Sequence, residues 1–203
     1  MKKLSLTLTA AALAALLNTG CAPLLIGGAM VGGVTVATDR RTSATQLEDE
    51  TIEIKAGSRL REQLGDRVHI NVNSYNRVVL ITGEARNEAD RAEAERLVGG
   101  VENVTRVMNE VAVTLHSSLT SRSNDLVIQS KVKAQLIDAR DLLSNAFYVV
   151  VERGEVFLMG RVTEREADRA TEIARQVGGV KKVVRAFEII SEDELARITP
   201  KKQ

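Results

Sequence analysis

The chain has 203 residues, of which 28 are Lys or Arg and 27 are Asp or Glu, so its formal net charge is +1. This balance excludes a general nucleic-acid binder, because such binding depends on a broad excess of cationic side chains. The single cysteine excludes an internal disulfide and a cysteine-based zinc cluster. Apolar residues make up 44% of the chain and aromatic residues only 2%, so any core consists mainly of Val, Leu, Ile and Ala.

The first twenty residues have the pattern of a secretory signal peptide. Lys2 and Lys3 give a positive start, and an apolar run over 4–17 ends in small residues. This run is shorter than the roughly 20 apolar residues that a membrane span needs. The stretch LNTGC at 17–21 resembles a bacterial lipoprotein signal, which implies cleavage before Cys21 and lipidation of its thiol.

The lipoprotein signal departs from its usual pattern at one position. Asn18 stands three residues before the cysteine, where leucine is usual, and Leu17 lies one place further back. The alternative is an ordinary signal peptide cleaved near Gly20, which would leave Cys21 as a free thiol. With Ala22 after the cysteine in place of aspartate, the resemblance implies sorting to the outer membrane. Without the first twenty residues, 26 cationic residues oppose 27 anionic ones, which gives a net charge of −1.

A glycine-rich apolar segment, APLLIGGAMVGGVTVA, follows at 22–37. It is short for a membrane span, and its glycines oppose a helix, because each interior glycine costs about 1 kcal/mol. We expect this segment to lie at the bilayer surface, and the polar, acidic stretch at 42–50 to act as a tether. Residues 21–50 would then form a lipidated, glycine-rich apolar segment and its tether. The alternative, a first strand of the folded domain, lacks a nearby pairing partner in sequence.

An internal repeat organises the rest of the chain. EADRAEAERLVGGVENVTRV at 88–107 returns as EADRATEIARQVGGVKKVVRA at 166–186, and INVNSYNRVVLITG at 70–83 matches FYVVVERGEVFLMG at 147–160. Each copy begins with apolar residues spaced by four, which is typical of a helix. These residues are Ala56, Leu60 and Leu64 in the first copy and Ile128, Val132 and Leu136 in the second.

The repeat predicts the domain boundaries. We expect a first domain at 51–115, a linker at 116–122 and a second domain at 123–190. The tail at 191–203 is expected to form a short turn capped by Ser191 and then to fray.

Within each copy the predicted order is helix, strand, strand, helix, strand. Arg153 and Gly154 supply the turn between two antiparallel strands. Thr163, with Glu166 three residues later, has the capping-box pattern, and the glycines at 178–179 end the helix that follows. The fold class is therefore α+β, with two tandem αββαβ domains, each a three-stranded mixed sheet with two helices on one face.

These units resemble BON domains. The features shared with that family are a hairpin that ends in Gly83 or Gly160 and a helix that ends in Gly-Gly-Val, and the most specific stretches are SNDLVIQSKVKAQL at 123–136 and GEVFLMGRVTEREA at 154–167. With the lipoprotein signal, the resemblance to dual-BON outer-membrane lipoproteins covers nearly the whole chain.

The resemblance implies a protein without enzymatic activity or cofactor, anchored by lipid in the outer membrane and facing the periplasm. It implies binding of anionic phospholipid, phosphatidylglycerol or cardiolipin, mainly through the second domain. It also implies a role in outer-membrane integrity and a location at the division site.

The first helix of the second unit offers a surface for such binding. At about 100° per residue, the core residues Ile128, Val132 and Leu136 occupy one side of this helix. Three other apolar residues, Leu126, Val127 and Ile137, lie outside that side and are not expected to be buried in the core. Two lysines stand beside them, and this combination suits an interface with acidic lipid. The predicted phospholipid-binding site consists of Leu126, Val127, Ser130, Lys131, Lys133, Ala134 and Ile137. Members of the family often carry an aromatic residue at the position of Val127, which would anchor better in the headgroup zone.

Two other hypotheses for this helix face remain open. In one, the face packs against the first domain or the linker, as exposed apolar groups in two-domain chains often do. In the other, it contacts a protein, such as outer-membrane assembly machinery or a division-site protein. The first unit has Gly57 in its opening helix and fewer spare apolar positions, so we expect it to be a structural or partner-binding domain.

The sequence holds no arrangement that predicts an enzyme. His69 lies in the strand-like stretch RVHINV and His116 in the linker, a spacing that does not predict a metal site. No G-x-S-x-G motif is present, and neither Gly-Gly pair is followed by Lys-Ser or Lys-Thr. The charged stretch TEREADRATEIAR at 163–175 is predicted to form a solvated, ion-paired helix face.

Overall fold

The computed structural model describes residues 39–115 and 117–198. Lipidation of Cys21, the apolar segment 22–37 and His116 lie outside the described residues. Residues Val36–Gln203 form one compact unit by their internal contacts. The described part of this unit contains three apolar clusters, whose residues all lie between Ile52 and Phe187. A fragment that begins at Val36 retains every residue of these clusters and is suited to folding on its own.

The first domain has five main elements: α1 (Ser43–Leu64), β1 (Val68–Tyr75), β2 (Val78–Ala85), α2 (Glu88–Gly99) and β3 (Arg106–Val113). β2 is the central strand, antiparallel to β1 and parallel to β3. α1 and α2 contribute apolar residues to one cluster with alternate residues of β2, so both helices cover the same face of the sheet.

The second domain repeats this order as α3 (Leu119–Asp138), β4 (Tyr148–Glu152), β5 (Glu155–Val162), α4 (Glu164–Gln176) and β6 (Lys182–Ile189). β5 is antiparallel to β4 and parallel to β6. Its core combines residues of α3 and α4 with alternate residues of the sheet. The predicted α+β fold, with two mixed three-stranded sheets that each carry two helices on one face, is confirmed.

Three short helices complete the described chain. Two are 3₁₀ turns, Gly65–Arg67 after α1 and Ser144–Ala146 before β4. The third, α5, spans Glu192–Ile198. The Ser191 hydroxyl oxygen accepts a hydrogen bond of 3.1 Å from the backbone N–H of Glu194, so the predicted cap is present.

Both β-hairpins turn through two residues with positive φ. The values are 50° and 66° for Asn76 and Arg77, and 56° and 80° for Arg153 and Gly154. Such turns match the twist of the strands that they join. The turn predicted at Arg153 and Gly154 is confirmed.

Polar side chains fix where the four long helices begin. The hydroxyl or amide oxygens of Thr42, Asn87, Ser118 and Thr163 accept hydrogen bonds from backbone N–H groups in the first turns of α1 to α4. At α4 the Glu166 carboxylate also accepts from the backbone N–H of Thr163 at 3.0 Å. The predicted capping box is therefore confirmed.

Two segments that were predicted to be connections are partly helical. The stretch 42–50, expected to be a tether, is almost entirely part of α1, because Thr42 caps that helix and its first turns pack on the hairpin between β1 and β2. The predicted linker at 116–122 is also helical in part, since the Ser118 cap starts α3 at Leu119. The buried apolar spacing begins only at Ile52 and at Ile128, about two and a half turns after each helix starts, so it did not mark the first turns of either helix.

The two sheets also have a second apolar face, and these faces pack against each other. Leu80 of β2 and Phe157 of β5 are almost fully buried, at 0% and 2% exposure, although they point away from their own helices. The cluster between the sheets contains Tyr75, Leu80, Met108, Val150, Phe157, Met159, Val184 and Ala186. Each domain is therefore covered by helices on one face and by the other domain on the opposite face, and α3 lies on the helical face of its sheet.

Candidate functional site

The predicted phospholipid-binding residues are all exposed on α3. The exposed fractions of the three large apolar side chains are 64% for Leu126, 51% for Val127 and 68% for Ile137. The hypothesis that this face packs against the first domain is therefore wrong. The reason is that the first domain contacts the second through its sheet.

The exposed apolar residues of α3 form a stripe along the side opposite the core. We define the apolar stripe as Leu126, Val127, Ala134 and Ile137. On a helix of 3.6 residues per turn, Lys131 and Lys133 project on opposite sides of this stripe. Leu119 extends the line by two turns toward the start of the helix and is 80% exposed. Leu119 was not predicted to belong to this surface, because it was placed in the linker at 116–122. Its seven-residue spacing from Leu126 nevertheless marks the same side of a helix.

The position of α3 is fixed by its buried side. Ile128, Val132 and Leu136 enter the core of the second domain, as the spacing predicted. The Gln129 side-chain amide donates a hydrogen bond of 2.6 Å to the backbone carbonyl of Val149. The stripe therefore projects from a helix that is held against the sheet, so it needs little ordering on binding.

A buried aspartate links each opening helix to the hairpin of its own domain. The Asp125 carboxylate accepts hydrogen bonds of 2.9 and 2.8 Å from the backbone N–H groups of Arg153 and Gly154. In the first domain, Asp49 accepts from the backbone N–H groups of Asn76 and Arg77. This contact was not predicted from the sequence, although both aspartates lie three residues before the first apolar core residue of their helices.

A groove of about 340 Å³ borders the stripe, between α3, the β4–β5 turn and the start of β6. Its cations are Lys131, Arg153 and Lys181, which come from three different elements. The Lys181 ammonium donates a hydrogen bond of 2.9 Å to the backbone carbonyl of Arg153. None of the three forms an ion pair with a carboxylate within 39–115 or 117–198. Asp125 also lines the groove, but its carboxylate is occupied by the two turn N–H groups, so the groove favours an anion.

Most other cations near the sheet and α4 of the second domain do have carboxylate partners. Arg165 and Arg169 pair with acidic side chains, in agreement with the predicted ion-paired helix face. Glu166 differs from that prediction, because its carboxylate is buried and binds Arg40, which precedes α1. Burial alone would raise the pKa of Glu166, but hydrogen bonds from Arg40 and from the Thr163 backbone outweigh it and lower the pKa.

The equivalent face of α1 lacks an apolar stripe. Glu50 and Arg61 occupy the positions that Leu126 and Ile137 occupy in α3. Ile54 is the large apolar residue exposed on this part of α1. The repeat therefore provides an internal comparison, in which the same fold carries the exposed apolar and basic surface in its second copy only.

Polar side chains lie between the domains near the start of α3. Burial raises the pKa of the Glu152 carboxyl; a hydrogen bond from Asn71 opposes the shift, and the negative charge of Glu84 reinforces it. His69 lies in β1 as predicted, with its Nδ1 3.4 Å from a carboxylate oxygen of Glu84. In the part of the chain that the structure describes, no group of three His, Cys, Asp or Glu side chains is placed to hold a metal ion.

Two segments of the chain, 48–114 and 124–191, match the family model of the BON domain. The chain belongs to the BON-domain family. Each BON match lies over one αββαβ unit and begins inside its opening helix, at residue 48 within α1 and at residue 124 within α3.

The chain is similar to known proteins over most of its length. The chain is 35% identical to "Outer membrane lipoprotein DolP" of Haemophilus influenzae over 192 residues, which cover 94% of this chain and 97% of that protein. It is 33% identical to a "21 kDa hemolysin" of Actinobacillus pleuropneumoniae, over 78% of this chain and 83% of that protein. Among solved structures, the C-terminal domain of CdsD from Chlamydia trachomatis is 11% identical, with a TM-score of 0.30, and covers 66% of this chain and 96% of its own.

None of the helices within 39–115 and 117–198 combines the length and the apolar content that a membrane crossing needs. The apolar stripe is exposed on the surface of a folded BON domain. A partner surface that covers the stripe would bury apolar area next to the positive charges of Lys131 and Lys133.

Proposed function

We propose that this protein is an outer-membrane lipoprotein that faces the periplasm, binds anionic phospholipid through α3 of its second BON domain and supports outer-membrane integrity at the division site. The observation that carries the proposal is the exposed apolar stripe with Lys131 and Lys133 on its two sides. The similarity to an outer-membrane lipoprotein over 94% of the chain supports the location.

The composition of the α3 surface matches the boundary between lipid headgroups and acyl chains. Apolar side chains such as Leu126 and Ile137 gain free energy on leaving water, while lysines interact with phosphate groups at the same depth. Each cation near an anionic bilayer contributes about 1 kcal/mol. Phosphatidylglycerol and cardiolipin carry net negative charge and are therefore the lipids that this surface favours.

A lipid anchor at Cys21 would make even weak binding by α3 effective. Tethering keeps the second domain at a high local concentration near the bilayer, so its binding becomes an intramolecular step. The anchor is tested by mass spectrometry of the protein purified from membranes. The expected result is a mature chain that begins with acylated Cys21, and an unmodified thiol at that position would contradict the anchor.

Vesicle binding of the fragment Val36–Gln203 tests the lipid site. The double variant Val127→Glu/Lys131→Glu places charge in the stripe and reverses one of its lysines. The matched control is Thr51→Glu/Lys55→Glu, which makes the same changes at the equivalent positions of α1. We expect the wild type and the control to bind vesicles that contain phosphatidylglycerol, and the α3 variant to lose at least about tenfold in affinity.

Two results would count against the proposal. Equal loss in the α1 control would mean that overall charge, not the α3 surface, governs binding. Absence of wild-type binding to phosphatidylglycerol or cardiolipin vesicles would remove the lipid function. The stripe would then be assigned to the alternative role, an adaptor that contacts outer-membrane assembly machinery or a division-site protein.

A further inference from the structure

The two BON domains carry opposite charge at one corresponding position. In the first domain, the Lys55 ammonium of α1 pairs with the Glu102 carboxylate at 3.4 Å. Glu102 follows the Gly-Gly-Val sequence after α2, and Lys181 follows the same sequence after α4. Lys131 is the equivalent of Lys55 in α3. The ion pair that bridges α1 to the segment before β3 is therefore replaced in the second domain by two lysines.

This replacement leaves an excess of positive charge in the groove beside the stripe, because three cations face the single carboxylate of Asp125. Lys131 and Lys181 both line the groove, and Arg153 enters it from the β4–β5 turn, where the first domain has Asn76. Like charges that share a groove repel each other unless an anion lies between them. Lys181 donates one hydrogen bond to the carbonyl of Arg153, and its ammonium has further N–H groups to offer.

The groove is also open to a ligand from the stripe side. Val127 lines it together with Lys131, so one wall of the groove is continuous with the apolar stripe. A Cβ placed on Gly178 would meet no atom within 4 Å, which shows that the backbone at the far wall is not covered. A molecule with an anionic group next to an apolar part therefore fits both surfaces at once.

We propose that Lys131, Arg153 and Lys181 form a binding site for the phosphate of a phospholipid headgroup, next to the stripe that receives the apolar part of the lipid. This inference rests on the proposed function and adds two residues, Arg153 and Lys181, that lie outside α3. Ammonium and guanidinium groups from three elements surround a phosphate with charge-assisted hydrogen bonds. This site is present in the second BON domain only, because in the first domain Lys55 and Glu102 occupy the equivalent positions and neutralise each other.

The variant Lys181→Glu tests the site without a large risk to folding. The new glutamate can pair with Lys131 across the groove, as Glu102 pairs with Lys55 in the first domain. We therefore expect the fragment Val36–Gln203 to melt at or above the wild-type temperature. The control is Lys182→Glu, which makes the same change in net charge one residue later. Lys182 is exposed and pairs with Glu155, and this surface pair contributes little to stability.

Binding is measured on vesicles of phosphatidylcholine with and without phosphatidylglycerol. We expect Lys181→Glu to weaken binding to the phosphatidylglycerol vesicles at least about tenfold, and Lys182→Glu to weaken it less than about threefold. Equal effects of the two variants, or no effect of Lys181→Glu, would overturn the phosphate site. If Val127→Glu still abolished binding in that case, the proposed function would stand and only the site would fall.

A second arm separates a lipid headgroup from a free phosphate. The wild-type fragment is titrated with soluble glycerol 3-phosphate, and NMR shifts are followed at Lys131, Arg153 and Lys181. Weak binding of glycerol phosphate with much tighter binding of phosphatidylglycerol vesicles supports the headgroup. Groove binding of glycerol phosphate without vesicle binding would overturn the headgroup assignment and the proposed lipid function together.

Discussion

Arg40 and Glu166 form a buried ion pair between residues that are 126 positions apart in the sequence. The guanidinium donates two hydrogen bonds of 2.8 Å to the two carboxylate oxygens of Glu166. It also donates one of 2.7 Å to the backbone carbonyl of Arg161. The side chains are only 6% and 5% exposed, so this contact fixes the segment before α1 onto the second domain.

Removal of Arg40 should destabilise the domain pair. In Arg40→Ala, Glu166 would stay buried without its cation, and loss of one partner of a buried pair costs about 3–5 kcal/mol. Urea unfolding of the fragment Val36–Gln203 measures the change. The control is Arg96→Ala, which removes an exposed pair with Glu93 and should change the free energy of unfolding by less than about 1 kcal/mol. Equal effects of the two variants would contradict the structural role of Arg40.

Glu152 should make the stability depend on pH. Burial raises its pKa, so the folded state binds the proton more tightly than the unfolded state. The resulting stabilisation is fully present below the ordinary glutamate pKa of about 4.3, and it is lost as the pH rises through the higher folded pKa. We expect Glu152→Gln to raise the thermal midpoint at pH 7.5 and to flatten its fall between about pH 4.3 and neutrality.

The control for this prediction is Glu172→Gln on the exposed side of α4, where Glu172 pairs with Arg169. It should leave the shape of the pH profile unchanged. A profile for Glu152→Gln that parallels the wild type would show that Glu152 does not contribute to the pH dependence.

Gly160 should not tolerate a side chain. Its φ is +151°, and a Cβ there would lie 2.2 Å from the carbonyl oxygen of Ala146. We expect Gly160→Ala to lower the free energy of unfolding by at least about 2 kcal/mol, because backbone strain and this clash add. Gly178→Ala is the control, since a Cβ there meets no atom within 4 Å. Denaturant unfolding compares them, and a mild effect at Gly160 would contradict the close approach to Ala146.

An aromatic residue in the stripe should strengthen lipid binding. Val127→Trp adds apolar area and an indole N–H that suits the headgroup zone. We expect tighter binding to phosphatidylglycerol vesicles by about 1 kcal/mol, or about fivefold, from the added buried area. Thr51→Trp on α1 is the control, and it should change the affinity much less. Equal gains in both variants would mean that any exposed tryptophan acts in this way.

The repeated sequence was sufficient to predict the fold of each domain. The signals were local patterns that each have one physical interpretation. They are the helical spacing of Ile128, Val132 and Leu136, the hairpin turn at Arg153 and the capping box at Thr163. The exposed face of α3 was predictable for the same reason, because a helix with a known core side must present its other residues outward.

The contacts between the domains were not predicted, because they join residues that are distant in sequence. One signal was available: VVLI at 78–81 and VFLM at 156–159 are continuous apolar runs, which favour a strand that is buried on both faces. The pair of Arg40 and Glu166 left no such signal. The exchange of Glu102 for Lys181 was visible in the aligned repeats, but its meaning depends on Lys55 and Glu102 being in contact.

The most direct test of the account is an NMR titration of the fragment Val36–Gln203 with phosphatidylglycerol micelles. We expect amide shifts to concentrate on α3 between Leu126 and Ile137 and on the adjoining groove at Arg153 and Lys181, while α1 remains unperturbed. Shifts centred on α1 or on the sheet-to-sheet contact, or no shifts at saturating lipid, would contradict it.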